Sequence, residues 1–175
     1  MFYLQDLPDD ETLHKFAGRY ANMDVSAVKS CLILLRTGSD VLTGFELMLN
    51  RYGLSQGRFL TLIVMYRAPD VPANPSELAE KVGVTRATMT GLLDKLEKDQ
   101  LIERHTDAED RRKIYIRLTL KGIRILEQML PDYYDRISGL MKNLSEDEQH
   151  QLTLLLQKVN TGLPALTEDY RLPDK

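Results

Sequence analysis

Residues 76–95 carry apolar side chains at a spacing that suits two short helices crossing at a tight turn. Leu78, Val82, Val84, Met89 and Leu92 fall where such helices bury contacts against each other. Ala79 is small where the helices cross closely. Gly83 sits at the turn, where a positive φ carries no penalty for glycine. These seven positions have the spacing of a helix-turn-helix. The competing reading is an ordinary helical hairpin inside a core.

The second helix continues inward with Leu93 and Leu96. With Met89, Leu92, Leu93 and Leu96 buried, about 100° per residue puts Ala87, Thr90, Gly91, Asp94 and Lys98 on the opposite side. Arg86 and Thr88 lie on the flanks near the start. Asp94 repels phosphate, so the N-terminal half of this helix is the part expected in a major groove. Arg86 suits a bidentate contact to guanine or a bond to phosphate, and Thr85, Thr88 and Thr90 offer short hydroxyls. The helix N-terminus adds a dipole that favours phosphate. Ser76, Thr85, Arg86, Ala87, Thr88 and Thr90 are therefore the candidate DNA contacts of the two helices. Gly91 costs about 1 kcal/mol of helix propensity against alanine. Close approach of DNA to the backbone and simple drift explain it equally well.

A hairpin follows, with strands expected at 101–104 and 113–118. Ile114, Ile116 and Leu118 alternate with Tyr115 and Arg117, which implies one buried face. The loop between the strands ends in Arg111, Arg112 and Lys113. An arginine at such a tip suits a narrow minor groove, where negative potential is enhanced, and Asp110 is placed to hold a neighbouring guanidinium. The competing reading is a solvated charged turn.

Around this module the chain reads as helices. Asp10 precedes the spaced apolar set Leu13, Phe16, Ala17 and Tyr20. Asp24 caps a long helix from Val25 to about Tyr52, ended by Gly53. It is apolar on two faces, one through Leu32, Leu35 and Leu42 and the other through Cys31, Leu34 and Phe45. Such a helix is either central to the core or covered by a second chain. A third helix runs from Ser55 to about Arg67, with Phe59, Leu60, Ile63 and Val64 expected inward. Residues 68–73 hold Pro69 and Pro72 and read as a connecting loop. Asn74-Pro75-Ser76-Glu77 opens the first helix of the motif. Thr119 caps a helix from Leu120 to about Asn143, with a bend expected at Pro131, and Ser145-Glu146-Asp147-Glu148 opens a last helix. The tail after Thr161 is expected to fray. The expected fold is mainly α with a small β-hairpin wing: a winged helix-turn-helix over 53–119, flanked by dimerisation helices over 1–52 and 120–175.

Net charge is −3 over 175 residues, which looks wrong for a DNA binder. The average hides an asymmetry. Residues 81–124 hold eleven Lys/Arg against seven Asp/Glu, a net of +4, while the remaining 12 and 19 sum to −7. DNA affinity depends on the local basic face. No apolar run approaches the roughly 18 residues of a membrane span. The first eleven residues carry no basic side chain, unlike a secretory leader. One cysteine allows no internal disulfide and fits a cytoplasmic location.

Val82-Gly83-Val84-Thr85-Arg86-Ala87-Thr88, Leu92-Leu93-Asp94-Lys95-Leu96-Glu97, Leu101-Ile102-Glu103-Arg104, Asp107 with Asp110-Arg111-Arg112, and Leu118-Thr119 with Gly122 resemble the MarR family. The resemblance covers 53–122 specifically and the flanking helices by layout. It implies a homodimeric transcription regulator, with the first and last long helices at the dimer interface. It also implies double-stranded operator DNA as partner, Arg111 or Arg112 in the minor groove, and repression relieved by a small lipophilic or phenolic effector. Two departures stand out: Asp99-Gln100 where a glycine commonly ends the reading helix, and Gly91 where a longer polar or basic residue is common.

Cys31 matches the position of the peroxide-sensing cysteine in one branch of that family. The positions comparable to that branch's tyrosines hold Leu35, Phe45 and Gln56, so a buried apolar thiol is the competing reading. His14, His105 and His150 are too far apart to suggest a metal, and no cofactor is expected. No nucleophile motif or phosphate-binding glycine loop points to an enzyme. A winged helix used only for protein interaction is the alternative of another class. Phe59, Met65 and Tyr66 are apolar candidates for an effector pocket or plain core.

Overall fold

The computed structural model describes residues 4–106 and 114–167. Ten elements follow in order: α1 (Asp10–Ala17), α2 (Val25–Asn50), α3 (Gln56–Tyr66), α4 (Pro75–Val82), α5 (Arg86–Lys98), β1 (Ile102–Thr106), β2 (Ile114–Leu118), α6 (Leu120–Met141), α7 (Glu146–Thr161) and α8 (Pro164–Thr167). The chain divides into two compact units, meeting between Leu126 and Glu127 within α6.

The starts of α1 to α5 each have a local chemical cause. Asp9, Asp24, Ser55, Asn74 and Thr85 each turn a side-chain oxygen onto a backbone N–H left unpaired in the first turn. At Asp9 the side chain and the N–H of Thr12 both favour the charged form, which holds the carboxyl below its usual range. Pro75 occupies the first position of α4, where no N–H is needed. Gly53 has φ +68, and the backbone N–H of Leu54 returns to the Leu49 carbonyl at 3.1 Å, which closes the end of α2.

The core of the first unit lies where α3, α4, α5 and the hairpin meet. Leu62, Met65, Leu78, Ala79, Met89, Leu93, Leu96, Leu101, Ile102 and Ile116 are all buried. Each large side chain among them contributes about 1.5–3 kcal/mol through burial. α3 lies deepest, packed against α2, α4, α5 and β2. A Cβ at Gly57 would stand 3.1 Å from Leu92, so α3 and α5 approach almost backbone to side chain.

The inward face of α3 differs from the expectation. Phe59, Thr61, Leu62 and Met65 are buried, whereas Leu60 is 36% exposed and Ile63 and Val64 are half-buried. Residues 59–65 are apolar on nearly every face, so periodicity carries little phase information there. The one polar residue, Thr61, is buried because its hydroxyl donates to the Gly57 carbonyl at 2.7 Å. On α1 only Leu13 is buried and Phe16 is exposed; the helix ends at Ala17, so Tyr20 lies beyond it and is exposed too.

α2 is not the centre of a core. Leu35 and Leu42 are 46% and 50% exposed, and only Met48 and Leu49 at its C-terminal end are buried. β1 starts one residue later than expected, at Ile102, and Lys113, the expected start of the second strand, lies outside the described residues. The strands pair antiparallel with Ile102 opposite Leu118 and Arg104 opposite Ile116. Only Ile116 of the expected inward triplet is fully buried; Ile114, toward the tip, is exposed. Ala73, expected in a plain loop, exchanges both backbone hydrogen bonds with Ile116 at 2.8 Å and fastens the hairpin to the α3–α4 connection.

In the second unit, Ser145 and Glu148 form the expected reciprocal capping box at the start of α7. α6 ends at Met141, two residues before the expected boundary, and Pro131 lies inside it. Part of the expected frayed tail is instead the short helix α8, with Pro164 at its start.

The start of α6 meets the residue before β1 at close range. A Cβ on Gly122 would lie 2.1 Å from the Leu101 carbonyl oxygen, a position only glycine fills without displacement of backbone. Gly122→Ala is expected to lower unfolding free energy by about 2–3 kcal/mol, read by chemical denaturation. A change under about 0.5 kcal/mol would contradict the packing described.

Candidate nucleic-acid interface

α4 and α5 form the helix-turn-helix expected from residues 76–95. Gly83 adopts φ +76, and the Val84 N–H returns to the Ala79 carbonyl at 3.0 Å. The chain thereby reverses within three residues and begins α5 at Arg86. Met89, Leu93 and Leu96 face the core, with Leu92 half-buried on Gly57. The remaining face of α5 is therefore solvent-facing by construction.

That face carries the expected candidates. Thr85, Arg86, Ala87, Thr88 and Thr90 are exposed around the first turn and a half of α5, and Ser76 is exposed in the first turn of α4. The first turn of α5 holds no acidic residue. Its unpaired N–H groups and the Arg86 guanidinium thus present positive charge at one end.

The hydroxyls are less free than the sequence suggests. Thr85 Oγ1 accepts from the Thr88 N–H at 3.1 Å and shares a hydrogen bond with Thr88 Oγ1 at 2.9 Å. Thr90 Oγ1 donates to the Arg86 carbonyl at 3.0 Å. A hydroxyl that spends its proton on the helix can only accept further bonds. Thr90 so held suits a base amino group and not a phosphate, which also only accepts.

Asp94 is not a bare negative charge facing the ligand. Arg104 on β1 donates from Nη2 to Asp94 at 2.6 Å and from Nη1 to Glu97 at 2.9 Å. One planar guanidinium thus clamps two carboxylates one helical turn apart. All three groups are partly exposed, so each pair contributes little beyond about 1 kcal/mol. Their effect is geometric, since they fix the hairpin to α5. Arg104 was recognisable only as part of a motif, because nothing in linear spacing reveals a strand-to-helix pair.

The reading helix ends without glycine. Gln100 takes φ +61, the left-handed conformation that glycine usually supplies, and its carbonyl accepts from the Thr119 hydroxyl at 2.7 Å. Arg111, Arg112 and Lys113, with Asp107 and Asp110, lie outside the described residues. On the hairpin nearer the body, Glu103 stands opposite Arg117 and pairs with His105 at 2.9 Å.

Cys31 is exposed on α2. Of the pocket candidates, Phe59 and Met65 are buried and Tyr66 is half-buried. Met65 lines a shallow recess with Val64, Ala68, Pro72 and Leu78 between the end of α3 and α4; Phe59 and Tyr66 are not among its lining residues. Among the described residues, no group of three or more His, Cys, Asp or Glu is placed to hold a metal ion. No helix of the described residues is long and apolar enough to cross a membrane.

A family model described as the MarR family matches residues 54–114. The HTH-type transcriptional repressor YetL of Bacillus subtilis is 37% identical over 153 residues, covering 87% of this chain and 92% of that protein. A variant of Staphylococcus aureus MepR, solved bound to an oligodeoxyribonucleotide, superposes with TM-score 0.53 at 27% identity, covering 75% of this chain and 96% of the other. The crystal structure of a MarR family transcription regulator superposes with TM-score 0.69 over 91% of this chain and 99% of that one, and at 20% identity shares the fold.

Two substitutions test this surface directly. A Cβ at Gly91 would meet nothing within 4 Å, so Gly91→Ala is expected to raise unfolding free energy by about 1 kcal/mol. Arg104→Met is expected to lower it by about 1 kcal/mol and to speed amide exchange in β1 and β2. Loss of stability in the first, or unchanged exchange in the second, would contradict the geometry.

Proposed function

The chain belongs to the MarR family, and from that premise we propose a transcriptional repressor that binds palindromic operator DNA as a homodimer. The observation that carries this reading is the exposed N-terminal half of α5. It presents Arg86, Thr88 and Thr90 while its other face is sealed in the core. A helix so held enters a major groove N-terminus first. Arg86 supplies a bidentate contact to a guanine edge or a phosphate contact, and Thr85, Ala87 and Ser76 line the approach. Arg111 or Arg112 reaches the adjacent minor groove from the wing, with Lys113 on the backbone.

The homodimer reading is supported by α2. Its two apolar faces remain uncovered, one through Leu35 and Leu42 and the other through Leu34, and solvent is an unfavourable environment for both. Residues 1–52 and 120–175 supply the dimer body, and 53–119 the reading head. Two-fold symmetry then sets half-sites about one DNA turn apart. A small lipophilic or phenolic effector relieves repression, the protein works in the cytoplasm beside its DNA, and no catalytic step belongs to it. The peroxide-sensing alternative gains nothing from the positions comparable to the sensor tyrosines. Of Leu35, Phe45 and Gln56 only Gln56 has a hydrogen-bond donor for a thiolate.

Fluorescence anisotropy on a palindromic duplex selected from a random pool tests the reading. Arg86→Ala is expected to weaken binding by about 1–3 kcal/mol. Arg112→Gln removes one cation from each protomer and is expected to flatten the slope of log K against log salt by about 1.8 per dimer. Binding that ignores salt and both arginines would favour a protein-interaction module instead.

A further inference from the structure

Arg58 lies in the first turn of α3. Its side chain is only 12% exposed. Nη1 donates to the Gly53 carbonyl, in the turn that ends α2, at 2.9 Å. Nη2 donates to the carboxylate of Asp99, the residue that caps the C-terminus of α5. Nε is buried with no hydrogen-bond partner among the described residues. The Asp99 backbone carbonyl accepts from Lys121 Nζ, in the first turn of α6, at 2.8 Å. One residue at the end of the reading helix is thus gripped from two other helices.

The arrangement is a poor way to gain stability. Asp99 is 50% exposed, so solvent screens its side of the pair, while the guanidinium bears most of the desolvation. A well-packed apolar side chain in place of Arg58 would stabilise the fold at least as well. What the pair does supply is direction. A planar fork reaching a carbonyl on one side and a carboxylate on the other fixes their separation. The two anchors belong to different parts of the molecule: the turn closing α2 and the residue that caps the reading helix.

The lever is long. Arg86 stands thirteen residues before Asp99, or about 20 Å along α5 at about 1.5 Å per residue. A tilt of about 10° at the Asp99 end carries Arg86 by about 3.4 Å, one base-pair step. In a dimer both reading helices are held this way, so a small change at each latch alters the half-site separation that both can meet at once.

We propose that Arg58 is a positioning residue. Through Gly53 and Asp99 it sets the angle of α5 against the end of α2, and so sets the half-site spacing the dimer reads. This rests on the DNA-binding reading above. The probe is the palindromic duplex selected by the unmodified protein, together with versions whose half-sites are one base pair closer and one farther. Asp99→Asn, at a half-exposed site, is the deciding variant; Arg58→Met gives the same readout from the buried side, and the double variant tests their coupling.

The unmodified protein is expected to prefer the selected spacing. In each single variant that preference should fall by about tenfold, and the double variant should lose no more than either one. Melting temperature is measured alongside. A purely structural role would lower the melting temperature and leave the spacing preference intact, which would overturn the proposal. Additive losses in the double variant would overturn it too. An unmodified protein that binds none of the duplexes would overturn the DNA-binding reading itself, a result distinct from failure of the latch.

Discussion

Met89, Leu93 and Leu96 are sealed against the core, and that burial decides which way the rest of α5 points. An isolated helix of thirteen residues is marginal in water. This one persists because Leu92 is seated on Gly57, where a larger residue on α3 would crowd it, and because Gly83 delivers the chain to Thr85 at the required angle. Arg86 and its neighbours are exposed as the consequence. The ion pairs add orientation to what burial has already selected. Arg104 ties the hairpin to Asp94 and Glu97 on the outer half of α5.

The motif itself was legible in the sequence because its physics is local. Crossing helices need small and apolar residues at fixed offsets, and a turn with positive φ favours glycine; Ala79 and Gly83 meet those needs. Caps were legible for the same reason, since Asp24, Ser55, Asn74 and Ser145 act within three residues of themselves. The phase of α3 was not legible. Residues 59–65 are apolar all round, and only the neighbours that tertiary packing brings decide which side is buried. Pairs across long sequence distance were also hidden. Asp94 read as a barrier to phosphate until Arg104, ten residues on, came to rest against it. The end of α5 lacks its usual glycine, yet Gln100 holds the left-handed turn with its carbonyl tied to Thr119.

Charge and greasiness in the rest of the chain belong to one design. The chain outside 81–124 is acidic, a charge that disfavours contact with DNA there. The apolar faces of α2 are exposed, and the proposed homodimer is what would cover them. Duplication matters energetically, because one helix contacting a few base pairs discriminates weakly, whereas two held at fixed separation multiply their selectivity. In the proposed reading, the first turn and a half of α5 concentrates sequence reading in a short segment.

Guanine-methylation interference on the selected palindrome tests this most directly. Methyl groups on guanine N7 project into the major groove, where α5 is placed to read. A two-fold dimer reading through Arg86 gives two symmetric patches of interference about ten base pairs apart, and Arg86→Ala erases the same guanine from both. A single patch, or patches unrelated by two-fold symmetry, would contradict it, whereas symmetric interference indifferent to Arg86 would assign that side chain to phosphate.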